Sequence, residues 1–187
     1  MLTVTVEVED VQTCECQKTQ AALDSCLIGT WKVDNEQLEL FRSTPGIPTK
    51  LKYKGEVIYE IKASEAQTQS TFKDFATILS GMSLPPPKLG LDPIIIPEGK
   101  TVQNGYYKFT ILTQKKGKTC FKQEKIDMIT DQYTDGHLVE STPEVAGPTE
   151  ELYSVTYKCE GSNLILNKKI EYDGASIFEV LPLIKIK

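Results

Sequence analysis

The chain has 187 residues, 40% hydrophobic and 25% charged, with a net charge of −5 and a pI near 5.1. That is enough chain for one globular domain with a sizeable core and no need of a structural metal. Lysines are scattered and Arg42 is the only arginine, which excludes the basic stripe of a nucleic-acid binder and bidentate phosphate clamps. No apolar run approaches the roughly 20 residues of a membrane-spanning helix.

Residues 2–9 alternate strictly at period two and predict a half-buried strand with Val4, Val6 and Val8 on one face. The segment from Met1 to Asp10 lacks a basic n-region, so no signal peptide is read there; an exported protein would already have lost it. Cys14-Glu15-Cys16 follows, then Lys18 to Leu23, which suits a helical turn. Residues 1–25 are thus an N-terminal strand and cysteine-containing leader. Cys26-Leu27-Ile28-Gly29-Thr30-Trp31 comes next and holds the only tryptophan. Asp34 and Asn35 are good helix N-caps for a short helix over 35–43, ended by Pro45, Gly46 and Pro48.

Leu51, Tyr53, Val57, Tyr59 and Ile61 alternate with charged residues and predict a strand or hairpin kinked at Gly55. Ala63 to Ser70 reads as a loop and Thr71 to Leu79 as a strand. Residues 81–105, with Pro85-Pro86-Pro87, Pro93, Pro97 and four glycines, read as a long loop packed down by Ile94, Ile95 and Ile96. Strands are predicted at Tyr106–Thr113 and Thr119–Ile129, joined by a hairpin at Lys115–Lys118. Asp131 to His137 is a turn region, and 141–150 another loop. The last third predicts strands at Leu152–Cys159, Leu164–Tyr172 and Ser176–Lys187. The final strand lies at an edge or bulge because of Pro182. Eight or nine sequential strands with one or two short helices predict an all-β antiparallel meander, and closure into a barrel removes its edges.

Of the five cysteines, none forms a CxxC pair, and there is one histidine, His137. A Cys/His zinc site is not indicated. Two readings remain: one or two disulfides in an extracytoplasmic protein, or reduced buried cysteines in a cytosolic one.

Gly29-Thr30-Trp31 behind Cys26, the helix-like insert, the meander, and Tyr157-Lys158-Cys159-Glu160-Gly161-Ser162 together resemble bacterial secreted lipocalin-like (calycin) domains. The resemblance implies an antiparallel barrel of about eight strands over residues 26–187, with Gly29 and Trp31 structural at its base. It also implies a disulfide between Cys26 and Cys159, leaving Cys120 to meet Cys14 or Cys16. Lipocalins place an arginine late in the barrel to stack on the tryptophan; here the closing strand offers Lys185 and Lys187.

Tyr53, Tyr59, Phe75, Tyr107, Phe109, Phe121, Tyr153, Tyr157 and Phe178 sit on predicted strands. They are either plain core or, for all but Phe178, the lining of a cavity for a small apolar ligand. Trp31 reads as a structural plug. Asp131, Asp135 and His137 suit turn chemistry better than a metal site. No Gly-x-Ser-x-Gly elbow, phosphate loop or dinucleotide fingerprint is present, so no enzyme and no cofactor is expected. The sequence therefore predicts a non-catalytic carrier of a small hydrophobic or amphipathic molecule, with residues 82–98 over the barrel mouth. The alternative is a filled-barrel interaction module of the cell envelope that binds an unknown protein partner through its loops.

Overall fold

The computed structural model describes residues 23–42, 51–62, 67–84, 92, 94–115, 117–150, 152–172 and 175–187. The expected strand at 2–9, the helical turn before Leu23 and the triple proline fall outside these residues. In chain order the elements are β1 (Gly29–Val33), α1 (Asn35–Arg42), β2 (Leu51–Ile61), β3 (Gln67–Leu79), β4 (Met82–Leu84), β5 (Ile94–Ile96), β6 (Gly99–Lys115), β7 (Lys118–Thr134), β8 (His137–Ala146), β9 (Leu152–Glu160), β10 (Asn163–Tyr172) and β11 (Ala175–Lys185).

Eight strands close into an antiparallel barrel in the order β1, β2, β3, β6, β7, β9, β10, β11 and back to β1. Closure runs through β7, whose first residues pair with β9 while its full length pairs with β6. Beyond that point β7 carries β8 as an extra strand.

The base of the barrel is organised by Gly29 and Trp31. The C-terminal residues continue the pairing of β11 with β1: Thr30 N–H donates to Lys187 O at 3.0 Å and Ile186 N–H to Thr30 O at 2.9 Å. A Cβ on Gly29 would lie 2.8 Å from both Lys185 Cε and Lys187 O, and its φ of +146° suits only glycine without strain. Trp31 is 1% exposed. Its indole N–H donates to Leu27 O at 2.8 Å, and Lys185 Nζ lies 5.2 Å from its ring centroid. A lysine thus stands over the tryptophan where the lipocalin resemblance implies an arginine. Leu27, Leu164 and Leu183 fill the surrounding space.

Cys26 and Cys159 form a disulfide with a Cα–Cα distance of 6.2 Å, tying the turn before β1 to the end of β9. Cys120 is also disulfide-bonded; its expected partners, Cys14 and Cys16, lie outside the described residues.

β1 is too short to cover β2, and α1 fills the gap between β2 and β11. Asp34 caps the helix, its Oδ1 accepting from Gln37 N–H at 3.1 Å. Leu38 is buried beneath it, and Leu40 and Phe41 face outward. The helix also satisfies the uncovered edge of β2. Glu39 Oε1 accepts from Tyr53 N–H at 3.0 Å, and Asn35 Nδ2 donates to Gly55 O at 3.1 Å.

Gly55 marks a register shift against β3, where a Cβ would lie 2.1 Å from Asp74 O. The extra residue belongs to β3, and this bulge changes its phase, so that Phe72 and Phe75, three apart, both face inward.

Four loop expectations are corrected. The turn region expected over Asp131 to His137 shrinks to Asp135 and Gly136, because β7 runs on to Thr134 and β8 starts at His137. β3 begins at Gln67 rather than Thr71, because Thr68 and Ser70 are inward and buried, which apolar alternation does not reveal. Within 81–105, Met82–Leu84 pairs with Ile94–Ile96 and the sheet resumes at Gly99. The 141–150 loop is largely strand: Pro143 is accommodated opposite Ile129 because β8 has only β7 as a described neighbour, so a missing N–H breaks no second ladder.

Candidate functional site

The inward positions above the Trp31 base enclose a cavity of about 420 Å³. Its wall can be followed once around the barrel. Tyr53 on β2 stacks on Phe75 of β3 at 6.0 Å between ring centroids, and Phe75 meets Phe72 edge-on at 5.9 Å. Phe72 meets Tyr107 of β6 at 5.5 Å, Tyr107 stacks on Phe109 at 5.9 Å, and Phe109 meets Phe121 of β7 edge-on at 5.9 Å. Phe121 stands opposite Tyr153 on β9.

From there the wall changes character. Lys168 Nζ of β10 lies 4.4 Å from the Tyr153 ring centroid. Lys168 is directly across the ladder from Glu179 of β11. Glu179 Oε1 accepts from Arg42 Nη2 of α1 at 2.5 Å, and the Arg42 guanidinium lies 5.8 Å from the Tyr53 ring centroid, which closes the circuit. One arc is aromatic and the other charged.

Hydroxyls and amides punctuate the aromatic arc. Ser70, Thr77, Gln103 and Gln123 reach the cavity. Tyr53 is 5% exposed, yet its hydroxyl has no hydrogen-bond partner among the described residues. Tyr59 lies deep in the barrel and keeps only the exposure that the cavity surface gives it. Burial pushes its hydroxyl well above the ordinary tyrosine range, helped by the nearby Glu179 carboxylate and Tyr107. Burial, with Glu144, raises Tyr107 in the same direction.

Of the eight aromatics expected at a ligand, seven line this cavity: Tyr53, Tyr59, Phe75, Tyr107, Phe109, Phe121 and Tyr153. Tyr157 does not. It sits lower on β9, packs against the base cluster and donates its hydroxyl to Asp24 Oδ2 at 3.1 Å. The sequence reading missed Phe72, hidden by the bulge, and the charged residues Arg42, Lys168 and Glu179. The last two had a signal: Lys168 continues the inward phase of Leu164 and Leu166, and Glu179 that of Leu181 and Leu183.

His137 begins the exposed strand β8, outside the cavity, and Asp131 accepts from Ser141 Oγ at 2.6 Å. Among the described residues no three histidine, cysteine or carboxylate side chains gather as a metal site. No described helix is long and apolar enough to cross a membrane.

No protein-family model matches the chain, and neither does any curated protein or solved structure.

Proposed function

We propose that this chain is a lipocalin-like binding protein, of the secreted bacterial kind its motifs resemble, holding one small hydrophobic or amphipathic molecule in the barrel without catalysing a reaction. The observation that carries this reading is the cavity of about 420 Å³ walled by a continuous run of aromatic rings. Pockets for small ligands span about 300–1,000 Å³, with apolar walls and a few placed polar groups. The non-catalytic part is supported by the ionisable lining: its carboxylate, Glu179, is ion-paired, and His137 lies elsewhere. An extracytoplasmic location is supported by the Cys26–Cys159 disulfide and a bonded Cys120. The β4–β5 ladder leaves the barrel from the β3–β6 end opposite Trp31, which suits a cover over the mouth.

Native mass spectrometry of the non-reduced protein, before and after exposure to a lipid extract, tests the reading. A stoichiometric adduct is expected; a clean apo mass in both samples from folded protein contradicts it.

A second reading, an interaction module, is favoured by β8. Its residues 137–145 are all exposed, including Leu138, Val139 and Val145, and among the described residues it pairs only with β7. Such an edge is a template for strand addition by a protein partner.

A further inference from the structure

The carrier reading leaves the ligand's chemistry open, and the charged arc narrows it. Among the described residues the cavity wall holds two cations, Arg42 and Lys168, against one carboxylate, Glu179. Glu179 is committed to Arg42 at 2.5 Å. Lys168 has no carboxylate within ion-pair distance among the described residues; its ammonium rests on the Tyr153 ring face. The described lining therefore carries an excess of one positive charge in a space whose other walls are rings, aliphatic side chains and the neutral polar groups of Ser70, Thr77, Gln103 and Gln123.

A charge facing such a space is poorly solvated compared with one on an open surface, and an anion beside it restores what it lacks. The Tyr53 hydroxyl is a second group in want of a partner, buried and next to Arg42 on the same circuit. Opposite these groups, Phe72, Tyr107, Phe109 and Phe121 offer apolar surface with no formal charge.

We infer that the bound molecule is an amphipath ending in a single carboxylate, with its head at Lys168 and its apolar body along the Phe72–Phe121 arc. The inference rests on the carrier reading and adds to it the sign and number of charges on the ligand. One carboxylate balances the cavity; a dianion would overshoot, and an amine would place a third cation beside Arg42 and Lys168.

The test compares three probes of equal chain length, dodecanoate, dodecanol and dodecylamine, titrated calorimetrically into the intact oxidised protein at neutral pH and low salt, below their aggregation limits. Dodecanoate is expected to bind at least about tenfold tighter than dodecanol, the span of a hydrogen bond to a charged group, and dodecylamine is expected to bind most weakly. Lys168→Met should bring dodecanoate level with dodecanol in the same variant. Lys168→Arg, which keeps the charge, should retain the preference and guards against a folding defect. Equal binding of dodecanoate and dodecanol by the native protein, or tighter binding of the amine, overturns the inference and leaves the carrier reading standing. Failure of all three to bind overturns both.

Discussion

Around Trp31 the inward side chains meet one another: Leu27, Leu164 and Leu183 are at most 1% exposed, and the indole N–H is committed to a backbone carbonyl. Further along the same barrel Tyr59, Phe109 and Phe121 also point inward, yet they keep partial exposure because what they face is a cavity. Both regions obey the same alternation of strand residues, and both are rich in large apolar groups. The difference is what spans the barrel. At the base the turn tied by the Cys26–Cys159 disulfide places Leu27 against Trp31 in the space between the strands. Higher up, α1 and the charged arc only complete the wall. Inward-facing is therefore not the same as packed, and the two regions should respond differently to the same kind of substitution.

The largest effect is expected at the base. Trp31→Ala should destabilise the fold by about 3–5 kcal/mol in chemical denaturation, since it removes a fully packed ring. Next, Cys26→Ala with Cys159→Ala should cost about 2–4 kcal/mol, read the same way, because the bridge closes a long loop of the unfolded chain. On the cavity wall, Phe109→Ala should cost under about 2 kcal/mol, since part of that ring already lacks protein neighbours, while the affinity for a bound amphipath falls. A wall substitution as costly as Trp31→Ala would mean that the cavity collapses onto its rings and that the contrast is false.

Glu179→Gln sharpens the comparison within the wall. The Arg42–Glu179 pair is more than a third exposed, so its loss should change stability by less than about 1 kcal/mol. It also removes the carboxylate from the lining, and calorimetry should show dodecanoate binding strengthened several-fold. The smallest effect concerns pH. Tyr59 has its folded-state pKa raised above the ordinary value of 10.0. Its neutral form is therefore favoured by folding. The associated stability is complete below pH 10 and is lost as pH rises from there toward the folded value, because the unfolded chain releases that proton first. Denaturation midpoints measured across this range should fall less steeply for Tyr59→Phe than for the native chain.

Much of the barrel was legible in the sequence because strand alternation and hairpin turns are local. The helix after Asp34, the Gly55 kink, and the strands after Leu152 all follow from neighbouring residues. The Cys26–Cys159 pairing came instead from a resemblance, and no spacing rule would have supplied it. What the sequence hid was set by distant partners. Pro143 reads as a loop until β8 is seen to have a single neighbour on β7. The Asp74 bulge, which turns both Phe72 and Phe75 inward, forms against Gly55 on β2 and Asn104 on β6, whose Oδ1 accepts from Asp74 N–H. Tyr157 shows the limit on the site: alternation gives the face of a strand but not the height along the barrel, and at its height the base is filled. Lys168 and Glu179 were readable as charges on an inward phase, in conflict with simple core packing.

The most direct test of a filled base beneath a hollow, ligand-holding wall is a map of amide chemical shifts in the labelled protein during titration with dodecanoate. The account requires saturable shifts at Tyr53, Tyr107, Phe121 and Lys168, with Leu27, Trp31 and Leu164 little changed. Shifts confined to β8, or none at any of the wall residues, would contradict it.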